Sequence, residues 1–442
     1  MAGEWLDCSV GDITAPLRNA LVGGPFGSNL VSADYVDSGV PVIRGQNMGK
    51  RWVDGEFAYV TRDKAISLEA NLARPGDVVF TQRGTLGQVS LVPSGGPEVF
   101  LLSQSQMKLT PDPQKAVALY LYYLFTSREQ QEYVRQHAIQ TGVPHTNLGI
   151  LRHTPICLPP LDEQTAIAAI LGRLDDKIEL NRKVNETLEA MARALFKSWF
   201  VDFDPVRAKA EGRDPGLPSP IADLFPDSFE DSELGEIPRG WQVGSVADLA
   251  QLQKENISPG MRPEEVFTHF SIPAYDNGKG PTIERGSAIK SNKFSVPPDA
   301  ILVSKLNPAI PRVWLVDIAD SERPICSTEF LVVTPQSPQS REFLYLLFEC
   351  DTIRRHLLGL ATGTSNSHQR VRPEGLLGAR IVLPDELLLA QFSKLARPLL
   401  TRVTANIHES ANLAALRDAL LPKLVSGELR VPDAVRTLGG PE

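Results

Sequence analysis

Ile156-Cys157-Leu158-Pro159-Pro160-Leu161-Asp162-Glu163-Gln164 is an apolar run, a double-proline stop and an acidic start. It opens about forty proline-free residues that end near Phe200. Apolar positions in that stretch step by four and three: Ile167, Leu171, Leu174, Ile178, then the polar pair Asn181 and Asn185, then Leu188, Ala192, Leu195 and Trp199. This is the heptad seam of a helix that packs on another helix. Asp162 is placed as its N-cap, and an acidic first turn suits the helix dipole. After Pro384 the same seam returns 225 residues later as Phe392, Ala396, Leu399, Val403, Asn406, Ser410, Leu413, Arg417, Leu420 and Leu424. Polar positions therefore meet polar positions in the same slots. Buried polar groups in a seam cost stability but select register and partner. The two helices are expected to pack on each other, with Asn181, Asn185, Asn406 and Ser410 near the crossing. Pro398 and Pro422 predict a kink or an early end in the second helix.

Outward from the helices the duplication continues. Trp5-Leu6 with Ser9-Val10-Gly11-Asp12-Ile13 returns as Trp241-Gln242 with Ser245-Val246-Ala247-Asp248-Leu249, an offset of 236. Pro75-Gly76-Asp77-Val78-Val79-Phe80 is matched to Pro297-Pro298-Asp299-Ala300-Ile301-Leu302 at offset 222. Leu121-Tyr122-Tyr123-Leu124-Phe125 answers Leu344-Tyr345-Leu346-Leu347-Phe348 at offset 223. Thr141-Gly142 answers Thr362-Gly363, and Ile156-Cys157-Leu158-Pro159 answers Ile381-Val382-Leu383-Pro384. The drop from 236 to 222 makes the first copy longer by 14 residues between Asp12 and Asp77. Kept scaffold with altered polar loops is where binding specificity usually resides.

The expected fold is mixed α/β (α+β): a pseudo-twofold internal repeat of two similar domains separated by an antiparallel two-helix coiled coil. Its boundaries are 1–158 for the first domain, 159–203 for the first helix and 204–240 for an acidic Pro/Gly-rich linker. The second domain spans 241–383, the second helix 384–426 and a loosely held tail 427–442. Linker composition predicts a mostly irregular, exposed segment. At a rise of ~1.5 Å per residue, forty helical residues reach roughly 60 Å. That length is enough to hold two modules over separate stretches of a duplex that repeats every ~34 Å.

The 442 residues suit two or three domains, and 42% hydrophobic with 22% charged residues is ordinary globular composition. Cys8, Cys157, Cys326 and Cys350 lack metal-ligand or CxxC spacing, which points to reduced thiols. Met1 to Asp12 is no signal peptide, no apolar run nears the ~20 residues of a membrane span, and a cytoplasmic protein is expected. Net charge is −8, whereas DNA binders are usually basic. Positive groups would then have to be segregated, or supplied by partners. No GxxxxGK[ST], GxGxxG, HExxH or GxSxG motif occurs, and the seven histidines form no ligand spacing. The pattern favours a binding module without a metal site or catalytic residues.

The chain resembles the specificity subunit of type I restriction–modification systems. The resemblance rests on Gly76-Asp77-Val78-Val79-Phe80-Thr81-Gln82-Arg83-Gly84-Thr85, on Ile156 through Gln164, on Leu195-Phe196-Lys197-Ser198-Trp199-Phe200-Val201-Asp202-Phe203-Asp204-Pro205-Val206, and on Gly235-Glu236-Ile237-Pro238-Arg239-Gly240-Trp241. It implies two target recognition domains, conserved spacer helices and a bipartite, asymmetric double-stranded DNA target. It also implies two modification (methyltransferase) subunits carrying S-adenosylmethionine, and restriction subunits using ATP and Mg for translocation and cleavage. None of those cofactors is expected in this chain. The second copy departs from the pattern at Pro384-Asp385-Glu386-Leu387, and at Ser304-Lys305-Leu306-Asn307-Pro308 in place of Thr81 through Thr85.

Major-groove reading needs Arg or Lys for guanine and Asn or Gln for adenine. In the first copy this selects Arg44, Gln46, Asn47, Gln82, Arg83, His145, Thr146 and Asn147. In the second it selects Lys305, Asn307, Asn366, Ser367, His368, Gln369 and Arg370. Two other readings fit the residues: a standalone DNA-modifying enzyme with an unfamiliar active site, and a coiled-coil scaffold with no nucleic-acid role.

Overall fold

A computed structural model describes residues 5–140, 144–318, 323–361 and 369–431. The chain divides into two compact units, Met1–Lys177 with Leu413–Glu442, and Ile178–Asn412. In chain order, unit 1 holds β1 (Leu6–Ser9), β2 (Leu21–Gly23), β3 (Tyr35–Val36), β4 (Val40–Ile43), β5 (Ala58–Val60) and the helix α1 (Arg62–Ser67). Next come β6 (Leu72–Ala73), β7 (Val78–Thr81), β8 (Val89–Leu91), β9 (Phe100–Leu102) and β10 (Gln106–Leu109). Then follow α2 (Ala118–Thr126), α3 (Arg128–His137), α4 (Leu148–Arg152), β11 (Pro155–Leu158) and α5 (Leu161–Phe200), whose residues from Ile178 on belong to unit 2. β1 pairs with β11, an antiparallel sheet runs β2-β10-β7-β8, and a five-stranded sheet runs β3-β5-β4-β9-β6 with β4 and β9 parallel. All four residues of β7 are buried, so Val78-Val79-Phe80-Thr81 reads as a run of buried residues rather than an alternating strand.

Unit 2 repeats this plan. It begins with α6 (Asp204–Ala210), α7 (Ser219–Ala222) and the hairpin β12 (Phe229–Ser232) and β13 (Gly235–Pro238). There follow β14 (Gln242–Ser245), β15 (Ala250–Gln253), β16 (Asn256–Ile257), β17 (Val266–Phe270), α8 (Ile272–Asp276), β18 (Thr282–Arg285) and β19 (Lys293–Ser295). The rest is β20 (Ile301–Ser304), β21 (Val313–Leu315), β22 (Pro324–Ser327), β23 (Phe330–Pro335), α9 (Arg341–Glu349), α10 (Asp351–Leu360), α11 (Pro373–Leu377), β24 (Arg380–Leu383) and α12 (Glu386–Val425). The sheets are β14-β24, β15-β23-β20-β21 and β16-β19-β22-β17-β18, with β17 and β22 parallel. Inner strands β5-β4-β9-β6 and β18-β17-β22-β19 match one for one. The fifth strand does not: β3 adds beside β5, whereas β16 adds beside β19, at the opposite edge.

Two repeated landmarks are small devices. Ser9 N and Oγ both donate to Asp12 Oδ2, at 2.8 and 2.6 Å, and Ser245 does the same to Asp248 at 2.7 and 3.0 Å. These bonds hold both carboxyls below the usual carboxylate range. The register corrects a third landmark by one residue. Thr81 pairs with Gln106 and Ser304 with Phe330 at the same end of the ladder. Asp299 therefore answers Gly76, and both have positive φ, 62° and 89°. Only Gly, and to a lesser degree Asp or Asn, suits that turn. Asp77 answers Ala300 instead. In unit 1 Asp77 is buried against Lys108 at 2.7 Å, with side-chain exposures of 3% and 8%. In unit 2 the same two places hold Ala300 and Val332, both buried.

α5 and α12 are each forty residues long and pack together. Their contacts run antiparallel. In unit 2 Asn181 Nδ2 donates to Glu409 Oε2 at 2.9 Å and Ser410 Oγ at 3.2 Å. Asn185 Nδ2 reaches Val403 O at 3.2 Å, and Asn406 Nδ2 reaches Asn185 Oδ1 at 2.7 Å. In unit 1 Arg417 meets Asp175 at 2.6 Å and Arg430 meets Glu163 at 3.0 Å. Asn181 and Asn406 are 2% and 1% exposed. Ile167, Leu171, Ala192, Trp199, Phe392, Ala396 and Val403 are buried, whereas Leu174, Ile178, Leu195, Ser410 and Leu413 are half-buried. Leu399 is also half-buried, and its neighbour Leu400 takes the inner place.

Four expectations change. Asp162 lies inside the first turn of α5 rather than capping it, because Gln164 N already bonds Pro160 O. The helix assignment of α12 runs through Pro398 and Pro422. Both prolines are exposed, so water can take the carbonyls they leave unpaired. The segment 204–240 is ordered, with α6, α7 and the β12–β13 hairpin, because Val206, Phe225 and half-buried Phe229 join the core of unit 2 with Phe203 and Trp241. It holds nine Asp/Glu and four Lys/Arg, so −5 of the net −8 lies in these residues. In the tail, Leu429 packs on the core of unit 1, and Arg430 stacks 5.5 Å from the Trp5 ring. Among the described residues no helix is long and apolar enough to cross a membrane.

Candidate nucleic-acid interface

β7 and β20 each end at a polar bridge, built the same way in the two units. In unit 1 the backbone N–H groups of Gln82 and Arg83 donate to Ser105 O at 2.7 and 3.3 Å. Thr146 N donates to Gln82 O at 3.0 Å, and Arg83 bridges His145. In unit 2 Lys305 N donates to Glu329 O at 2.8 Å, Val371 N to Lys305 O at 3.0 Å, and Leu306 bridges Arg370. Asn307, at φ 51°, donates its N–H to Gln369 O at 2.9 Å. The fold thus gathers Gln82, Arg83, His145, Thr146 and Asn147 at one place in unit 1, and Lys305, Asn307, Gln369 and Arg370 at the equivalent place in unit 2. Asn366, Ser367 and His368 lie outside the described residues, as do Thr141-Gly142 and Thr362-Gly363.

The side chains at these places differ in character. Arg83 and Gln46 are exposed, Gln82 and His145 half-buried. Asn47 is 2% exposed, its amide given to Asp54 O at 3.2 Å and Glu56 O at 2.9 Å. Asn147 caps α4 by accepting from Ile150 N at 2.9 Å, and Thr146 is buried. These three build the loops that present their neighbours. In unit 2 the guanidinium lies on the other side of the bridge, since Arg370 stands where His145 stands in unit 1. Glu329 holds Arg370 with two bonds of 3.0 and 2.9 Å, which strengthens its charged form. Lys305 Nζ lies 5.9 Å from the Phe294 ring.

Arg44, Gln46 and Asn47 form a 3-10 turn after β4, adjoining the Ser103–Gln106 turn: Ser103 N donates to Ile43 O at 3.0 Å. Two donors here, Arg44 Nε and Gln106 Nε2, are buried with no acceptor among the described residues. Gln106 and Glu329 were missed by sequence reasoning. Gln106 begins the fully buried strand β10, and Glu329 is an acid where only donors were sought. Two cations tie the β4–β5 and β17–β18 connections to α5. Arg51 NH1 donates to Gly172 O at 3.0 Å and its other nitrogen pairs with Asp176. In unit 2 Lys279 meets Glu189 at 3.0 Å. Burial alone would lower the Lys279 pKa, but Tyr275, Glu189 and Glu349 raise it overall. Among the described residues no group of three His, Cys, Asp or Glu side chains could hold a metal ion.

The two similar modules thus each present hydrogen-bonding side chains from equivalent bridged loops. Residues 33–190 match the Type I restriction modification DNA specificity domain family. The chain is 27% identical to the type I restriction enzyme HindI specificity subunit of Haemophilus influenzae, over 96% of this chain and 100% of that one. It is 25% identical to the MjaIX specificity subunit of Methanocaldococcus jannaschii, over 86% and 85%. Its fold is similar to that of a type I restriction–modification S subunit from M. genitalium, with a TM-score of 0.61, 14% identity, and 95% and 96% of the two chains covered. The chain is a relative of the specificity subunits of type I restriction–modification systems.

Proposed function

We propose that this chain is the DNA-reading subunit of a type I assembly, each unit reading one half of a bipartite duplex target. The observation that carries the reading is the duplicated bridge with exchanged side chains: Arg83 opposite His145 in one unit, Leu306 opposite Arg370 in the other. A kept frame with different donors suits two different half-sites. The helix pair sets the spacing between half-sites and docks two modification subunits. S-adenosylmethionine, ATP and Mg belong to the modification and restriction subunits, and this chain contributes no catalytic group. Positive charge from those partners offsets the acidic total, and the −5 segment 204–240 keeps acid in one sequence block.

The test is to map methylated adenines in the host genome before and after deletion of the gene. Loss of methylation at one bipartite motif supports the reading. An unchanged pattern overturns it, and methyl transfer by the purified chain alone would favour the standalone enzyme.

A further inference from the structure

Phe26 and Met261 are the two most exposed large apolar side chains among the described residues, at 85% and 83%. One exposed apolar residue needs no explanation. Two in the corresponding connection of a duplicated fold do, although Phe26 precedes β3 and Met261 follows β16. Each lies in the connection between the first strand of the four-stranded sheet, β2 or β15, and the parallel strand of the five-stranded sheet, β4 or β17. The local sequences are Gly24-Pro25-Phe26-Gly27 and Ser258-Pro259-Gly260-Met261, and each apolar residue lies at a short 3-10 turn.

Both turns are anchored. Gly24 N donates to Gln106 O at 2.7 Å, and Asn71 Nδ2 to Gly23 O at 2.7 Å. Gln104 Nε2 bonds Leu30 O, and a Cβ on Gly24 would fall 1.8 Å from Ser103 O. In unit 2 Met261 N donates to Ser258 O at 3.1 Å, and Ser258 Oγ to Asn292 Oδ1 at 3.0 Å. A Cβ on Gly286 would meet Arg262 O at 2.2 Å. The first turn is pinned to the very Ser103–Gln106 segment whose Ser105 carbonyl takes the N–H groups of Gln82 and Arg83. The second follows β16, which pairs with β19, the strand whose Phe294 lies under Lys305. An apolar group held in water on a fixed turn, beside hydrogen-bonding side chains, is preorganised for a ligand with both an apolar and a polar face. Stacked base pairs offer both, and proteins enter them with Phe or Met wedges.

Building on the proposed DNA reading, we infer that Phe26 and Met261 are apolar wedges, each entering a base step of its own half-site while the adjacent polar bridge contacts base edges and phosphates. The turns supply position and the side chains supply unstacking. A different side chain in each unit suits a different step.

The experiment uses the full chain co-purified with its modification subunits, and duplexes of the methylated motif carrying 2-aminopurine at successive positions. The wild type raises the fluorescence at one step in each half-site. Phe26→Ala abolishes the rise in one half-site and Met261→Ala in the other, each weakening specific binding by roughly 5- to 150-fold. Phe26→Leu keeps part of both signals, which separates wedge loss from misfolding. Unchanged fluorescence and affinity in both alanine variants overturn the wedge. So does loss of co-purification with the modification subunits, which would make these turns a protein contact. A wild-type complex that shows no preference for the motif overturns the DNA reading and the wedge together, whereas specific binding without any unstacking overturns the wedge alone.

Discussion

The buried pair Asp77–Lys108 is a natural experiment, because the second copy of the fold has removed it. Asp77→Ala leaves the Lys108 ammonium with Thr110 Oγ1 at 3.3 Å as its remaining hydrogen-bond partner, and takes from Arg74 N the carboxylate it reaches at 2.8 Å. Breaking a buried ion pair from one side costs about 3–5 kcal/mol. Asp77→Ala with Lys108→Val installs the residues of unit 2, Ala300 and Val332, on strands of the same register. Replacing a whole buried pair by apolar groups is often neutral or stabilising, so the double variant returns to parental stability or exceeds it. With two units in the chain a single unfolding curve is not two-state. Amide hydrogen exchange across Val78–Thr81 and Gln106–Leu109 reads the local stability directly. The single variant should speed exchange there by two to three orders of magnitude, about 3–4 kcal/mol, and the double variant should restore it. A double variant as unprotected as the single one would refute the reasoning, as would a single variant with full protection.

Arg83→Ala should weaken specific binding by about 1–3 kcal/mol at one base position if it reads guanine; equal loss on all sequences would assign it to a phosphate, and no loss would remove it from the interface. Replacing Asn181 and Asn406 with Leu should raise the melting temperature of the helix pair while broadening the spacing tolerated between half-sites, and unchanged spacing in the methylated motif would refute a register role. Arg51→Ala should loosen the connection that carries Arg44 and Gln46, raising exchange across residues 44–56 and weakening binding, whereas unaltered exchange would show that Gly172 and Asp176 do not hold it. Asp12 and Asp248 have folded pKa values below the unfolded ~3.9. They therefore add stability above that pH, and it is lost as pH falls through the lowered values. Asp12→Asn with Asp248→Asn should flatten the decline in melting temperature between pH 5 and 2 (about the carboxylate range), and an unchanged slope would count against the serine bonds.

The helices and the repeat were legible because heptad spacing and repeated short motifs are one-dimensional signals. Asn181 and Asn406 could be placed in the seam from spacing alone. The Asp77–Asp299 match was off by one because identity drew the two aspartates together, while backbone conformation pairs Asp299 with Gly76. Composition made 204–240 look irregular. Phe203, Phe225 and Phe229 were too widely spaced to show a period, yet they are what folds it onto Trp241. Side-chain chemistry drew Asn47 and Asn147 into the site; the structure spends both on local backbone, a use that type alone does not distinguish from base reading. Phe26 and Met261 carried no signal until their exposure was known.

Each long helix is divided between the units at Lys177 and Leu413, and this division bears on the order of synthesis. The core of unit 1 includes Leu420, Leu424 and Val425, beside Ile167 and Leu171. Residues 178–412 form a continuous stretch and can close their own core as they leave the ribosome. The N-terminal domains of most proteins fold first during translation. Here the core of residues 5–177 closes only once Leu420, Leu424 and Val425 have emerged, after every residue of unit 2 has been made.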